Sequence, residues 1–126
     1  MKATRYFTLD EANALLPRIE PLMAELLQTR ARVVRARKEI ETILEDEVSD
    51  IGGPAFSELV RDFETIGRLV EEIQSFGCII KDVNVGLLDF LAERDGRDVY
   101  LCWRFGESQV EYYHELRDGF KGRRLF

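Results

Sequence analysis

Between Cys102 and His114 the chain gathers residue types that could do chemistry: a thiol, a carboxylate at Glu107 and its single histidine. Thiolate, carboxylate and imidazole together suit zinc or another divalent transition metal. A turn at Gly106 would fold Glu107 back toward Cys102, and Asp82 or Asp89 would supply a fourth ligand. The spacing contains neither Cys-x-x-Cys nor His-Glu-x-x-His, so such a site has to be assembled by the fold. A plainer account has Cys102 as a small buried hydrophobe, Glu107 as a turn residue and His114 hydrogen-bonded to a carboxylate.

Two other chemistries use the same stretch. Cys102 with His114 as base would make a thiolate nucleophile, with Arg104 on the same strand face to lower the thiol pKa. Mid-strand is a poor place for a nucleophile, because substrate reaches strand ends and helix starts more readily. The second is a small-molecule pocket. Lys81, Arg97, Arg104 and Arg123, with Tyr100, Tyr112, Tyr113 and Trp103, would form a cationic and aromatic cleft that grips a carboxylate or phosphate. No glycine-rich phosphate loop accompanies them, and aromatic residues of this kind also pack sheets against helices.

The elements that must position these residues are legible in outline. Arg5 to Thr8 reads as a short strand or extended entry. Thr8 and Glu11 form a capping box, so a helix starts near Leu9. Pro17 and Pro21 predict a kink or a fresh start. Asn13, inside the first turns, is expected to bond across to the sheet. An apolar seam of Ile19, Leu22, Leu26, Val33, Ala36, Ile40 and Ile43, with Thr29 in one slot, runs at heptad steps to about Glu47. Ser49, Asp50, Gly52 and Gly53 make a turn. Pro54 opens a second helix whose seam is Phe56, Leu59, Phe63, Ile66, Val70 and Ile73, with Gly77 as its cap. The short connection predicts an antiparallel hairpin of helices, roughly 55 Å and 33 Å long. The longer one overhangs, which favours a second copy as partner.

After Gly77 the period becomes alternating. Cys78–Lys81, Leu87–Ala92 and Val99–Phe105 read as strands, with Asp95-Gly96 a strong hairpin turn. Val99, Leu101, Trp103 and Phe105 share one face; Tyr100, Cys102 and Arg104 share the other. Val110–Glu115 fits a strand or a short helix, and the tail from Asp118 reads as irregular. The fold class is therefore α+β: one domain, with a coiled-coil-like helical hairpin over 8–77 and a small antiparallel β-rich part over 78–126.

The 126 residues are 45% hydrophobic and 33% charged, with net charge -6. That composition is globular, and its negative field disfavours nucleic acid and anionic membranes as partners. No apolar run reaches the roughly 18 residues of a membrane span. No export signal is seen, and two cysteines are too few for a disulfide scaffold, so a cytoplasmic setting is expected. Arg30 to Lys38 is a basic run and Glu39 to Asp50 an acidic one. Charges flanking a helical seam choose partner and orientation, so they are assigned to pairing within the hairpin or with a second copy.

Tyr6-Phe7-Thr8-Leu9-Asp10-Glu11-Ala12-Asn13-Ala14-Leu15-Leu16-Pro17 resembles the opening signature of a bacterial family known as domain of unknown function 2203. So do Gly77, Lys81-Asp82, Gly86 to Phe90, Cys102 to Glu107, His114, Gly119-Phe120 and Arg123. The resemblance spans nearly the whole chain and implies a helical hairpin with a small sheet, and no assigned activity. The leading expectation is a non-catalytic binding or scaffolding module, a homodimer through its helices. The alternative is a metal-binding protein or metal-dependent enzyme centred on Cys102, Glu107 and His114.

Overall fold

The reciprocal bonds of a capping box start the first helix. The Thr8 backbone N–H donates to Glu11 Oε1 at 2.9 Å, and the Glu11 N–H donates to Thr8 Oγ1 at 3.1 Å. The computed structural model describes residues 5–45 and 53–126. Helix α1 runs Leu9–Glu45 without a break, with Pro17 and Pro21 inside it. The expected fresh start near Pro17 is therefore corrected. The two prolines lie four residues apart on one exposed face, where their rings meet no packed neighbour element.

Helix α2 spans Pro54–Gln74, with its proline at the start as expected. The turn residues Ser49, Asp50 and Gly52, and the Ile43 side chain, lie outside the described residues. The α1 seam is buried at Ile19, Leu26, Thr29 and Val33, but Met23 rather than Leu22 is fully buried, and Ala12 and Leu16 extend it backward. In α2, Leu59, Leu69 and Ile73 are buried, whereas Phe56 and Phe63 stand exposed. The two helices contact each other, and Arg32 of α1 pairs with Asp62 of α2 at 3.2 Å.

Among the described residues, five strands form one antiparallel sheet in sequence order: β1 Ile79–Asp82, β2 Leu87–Arg94, β3 Arg97–Arg104, β4 Tyr112–Glu115 and β5 Arg124–Leu125. The β2–β3 turn is Asp95-Gly96, both at positive φ (52° and 78°), as a two-residue hairpin turn that follows strand twist requires. The segment 110–115 resolves as strand over Tyr112–Glu115. The tail is more ordered than its composition suggested, because a 3-10 turn at Phe120–Gly122 returns the chain to pair as β5 with β4. The entry segment is not a strand, but the Phe7 N–H bonds to the Leu91 carbonyl at 2.7 Å.

Alternation along the strands divides the sheet. Leu88, Phe90 and Ala92, Val99, Leu101 and Trp103, and Tyr113 pack into one core with Ala12, Leu16, Ile19, Met23 and Leu26 of α1 and Leu69 and Ile73 of α2. The α+β class holds. Asn13 fastens the first turns of α1 to the chain entering β4. Its amide Nδ2 donates to the Val110 carbonyl at 3.1 Å, and its Oδ1 accepts from the Val110 N–H at 2.6 Å. No described helix is long and apolar enough to cross a membrane.

Candidate functional site

The sheet face turned away from the helices carries Asp89, Cys102 and His114. Register brings them together: Asp89 lies opposite Cys102 across β2–β3, and His114 opposite Tyr100 across β3–β4. All three are buried, with Asp89 1%, Cys102 0% and His114 4% exposed. One ligand atom from each, carboxylate O, thiol S and imidazole N, falls within 4.8 Å of the others.

Hydrogen bonding fixes the histidine. Its Nδ1 lies 2.8 Å from the Glu115 carbonyl, which can only accept, so Nδ1 carries a proton. Nε2 lies 3.0 and 3.1 Å from the two Asp89 oxygens. One proton is therefore shared between imidazole and carboxyl. Burial pushes the Asp89 carboxyl above its ordinary value, against the pull of its bond to His114. The Cys102 thiol is pushed up to about 12, first by burial and then by the Asp89 charge, with Arg123 opposing. A thiol so raised is neutral at physiological pH, so in this state Cys102 is no thiolate nucleophile. Cys78, also buried, is likewise pushed up to about 12 by burial, and its Sγ donates to the Ile73 carbonyl at 3.3 Å.

Glu107 does not join the other ligand types. Its carboxylate accepts from the Arg104 backbone N–H at 2.7 Å and from Arg123 Nη2 at 2.8 Å. Its carbonyl accepts from Trp103 Nε1 at 3.0 Å. Glu107 thus closes the end of β3 and ties down the tail through Arg123. The Arg123 guanidinium is stacked on Tyr112 and Phe120, at 4.0 and 4.5 Å from the ring centroids, which leaves it engaged internally. Arg97 is held by Glu115 at 2.6 Å. Among the sequence-nominated pocket residues, Lys81 and Arg104 make no ion pair within the described residues and are exposed. Tyr100 lies between Lys81, whose Nζ sits 5.0 Å from its ring centroid, and His114, at 5.6 Å between rings.

A cavity of about 200 Å³ opens beside the cluster, with Asp89 and His114 in its lining together with Lys81, Leu87, Leu116 and Phe120. Arg117, Asp118 and Gly119 complete the lining. A second hollow of about 200 Å³ lies across Leu87 and Phe120, between Asp82, Val85 and Arg104. The wall formed by Leu116 to Phe120 was not nominated from sequence, because only the return of the tail as β5 places it there. Asp89 had a stronger signal than its role as optional fourth ligand suggested. A two-residue turn at Asp95-Gly96 fixes the pairing, so Cys102, five residues past Arg97, must face Asp89, five before Arg94.

Residues 5–126 match the family model described as uncharacterized conserved protein (DUF2203). The chain belongs to this family. No curated protein and no solved structure matches it. Membership thus covers the sheet face and the helices alike and brings no activity with it.

Proposed function

We propose that this family member binds a divalent transition metal, zinc in type, through Asp89 Oδ, Cys102 Sγ and His114 Nε2. The observation that carries the reading is the convergence of these three atoms within 4.8 Å, with His114 Nδ1 anchored on a backbone carbonyl. Metal-ligating histidines are characteristically oriented by such a bond at the other ring nitrogen. Bonds of about 2.0–2.3 Å need ligand atoms roughly 3.5 Å apart, which small side-chain rotations supply. Three protein ligands and one position facing a cavity is the pattern of centres that handle a ligand rather than of closed structural sites.

The test is reconstitution of the untagged full chain with one equivalent of Co²⁺ or Zn²⁺. The wild type should retain one ion and show thiolate-to-cobalt charge transfer. Cys102→Ser should abolish that band with circular dichroism unchanged. Substoichiometric metal, indifferent to Cys102→Ser and His114→Ala, would reduce the cluster to a satisfied buried hydrogen-bond network.

A second reading, self-association through the helices, is supported by an exposed apolar stripe on α2. Phe56, Val60 and Phe63, at steps of four and three, are 45%, 43% and 56% exposed. Gly67 continues the stripe with open space above it. In this reading 8–77 is an antiparallel, coiled-coil-like hairpin. Support comes from early α1 residues sharing a core with late α2 residues, and from Arg32 meeting Asp62. A second copy is the occupant that fits. The basic run of α1 from Arg30 to Lys38 would lie against Glu39 and Glu41 of that copy packed antiparallel. Residues 78–126 then carry the site, in a single cytoplasmic domain whose thiols stay reduced. Light scattering should give a concentration-dependent dimer that Phe63→Glu dissociates. A monomer at every concentration would end this reading.

A further inference from the structure

Lys81 stands at an irregularity in β1. Ile80 pairs with Leu88 and Asp82 with Leu87, so Lys81 is the extra residue of a bulge. A bulge re-aims the side chain at that point. Lys81 and Asp82 accordingly flank Leu87, Lys81 lining the cavity beside His114 and Asp82 the neighbouring hollow. The Lys81 ammonium lies over the Tyr100 ring, itself tilted against His114, and has no carboxylate in ion-pair range among the described residues. Arg117 on the same rim is also without an ion pair there. Asp118 is the one opposing charge on that rim besides Asp89 itself. The walls are Leu87, Leu116 and Phe120.

We infer that this cavity takes a small anionic ligand, a carboxylate or phosphate on a short apolar body, gripped by Lys81. One of its oxygens takes the open position of the ion held by Asp89, Cys102 and His114. The inference rests on the metal reading for that coordinated oxygen. Charge supports the pairing: the two positive charges of the ion cancel the Asp89 carboxylate and the Cys102 thiolate. That leaves Lys81 and Arg117 in excess over Asp118, a field that favours an anion. Size narrows the class. About 200 Å³ is somewhat more than the roughly 150 Å³ that accommodates benzene. A short organic acid or phosphate ester fits, whereas a nucleotide does not.

The test uses the full chain loaded with one equivalent of Zn²⁺, as wild type and as Lys81→Met, an exposed position where folding is not at stake. Elemental analysis gives the zinc retained. Isothermal titration gives affinities for acetate, benzoate and inorganic phosphate. Both proteins should keep one zinc, and the wild type should bind at least one of the anions. Lys81→Met should weaken that binding by about 10- to 100-fold, the loss of one hydrogen bond to a charged group. Preference for phosphate assigns a phosphoryl ligand; preference for benzoate over acetate assigns a carboxylate with an apolar body. Zinc retained without anion affinity, or with affinity indifferent to Lys81→Met, overturns the inference and leaves the metal reading standing. Zinc not retained by the wild type overturns both, and the stoichiometry tells the two failures apart.

Discussion

Asp89→Asn separates the architecture of the cluster from its chemistry. The Glu115 carbonyl holds a proton on His114 Nδ1, so in the neutral imidazole Nε2 presents a lone pair to position 89. A protonated Asp89 donates to that lone pair, and an asparagine amide of the same shape can do so too. With Asp89 carrying the shared proton, one buried neutral hydrogen bond replaces another, and the change in stability should then stay within about 1 kcal/mol. His114→Phe, of similar bulk, leaves the buried Asp89 carboxyl without its main partner and should cost about 1–3 kcal/mol. The metal should not share that tolerance, because each substitution removes one of its three ligands. Structural zinc sites bind with roughly 10–16 kcal/mol over four ligands, or about 3 kcal/mol each. Loss of the carboxylate should therefore weaken zinc by about 100-fold although the fold is intact. Urea midpoints at constant m-value give the first quantity, and competition with a chromogenic chelator gives the second. If Asp89→Asn unfolds as readily as His114→Phe, the pair is an ionic one and the proton assignment is wrong. If zinc affinity is unchanged, Asp89 is not a ligand.

Three further outcomes follow from the scaffold. Thr8→Ala removes the acceptor for the Glu11 N–H and should cost about 1 kcal/mol in urea denaturation. Gly86→Ala combines positive φ (71°) with a Cβ that would lie 2.7 Å from Phe105 Cβ, so it should cost more than about 2 kcal/mol and lower Tm clearly. The Glu115 carboxyl is held below its ordinary value by its hydrogen bonds to Arg97. A carboxylate depressed in the folded state stabilises above its unfolded pKa, and that contribution is lost as pH falls through the folded value. NMR titration should show the Glu115 value rise in Arg97→Ala, and an unchanged value would dismiss the pairing.

The cap, the Asp95-Gly96 turn and the division of β3 into a core face and a polar face were legible in sequence because each is written in contiguous residues. Thr8 and Glu11, or Trp103 and Cys102, declare their roles within a few positions. The cluster was legible only in part. Local reasoning folded Glu107 back toward Cys102 through the Gly106 turn, and the turn does form, with the Glu107 N–H bonded to the Arg104 carbonyl at 3.0 Å. What local reasoning could not see is that Arg123 returns from sixteen residues away to claim that carboxylate. The third member of the cluster then comes from the neighbouring strand.

The helical seam misled for a related reason. A heptad pattern assumes one partner all along, so it assigned Phe56 and Phe63 the same burial as Leu59 and Ile73. In the fold, Leu69 and Ile73 lie over the sheet as well as against α1, and both are fully buried. The first half of α2 belongs to no such three-way packing, so there only Leu59 is buried. Phe56 and Phe63 are the apolar residues left over by that difference. Burying three such side chains is worth roughly 1.5–3 kcal/mol each before the cost of association. A single stripe of this size supports a weak dimer and not an obligate one. Phe63→Glu should therefore shift the dimerisation midpoint by tenfold or more while leaving zinc retention at the sheet unchanged. Coupled loss of both would show that the helices and the metal cluster form one cooperative unit.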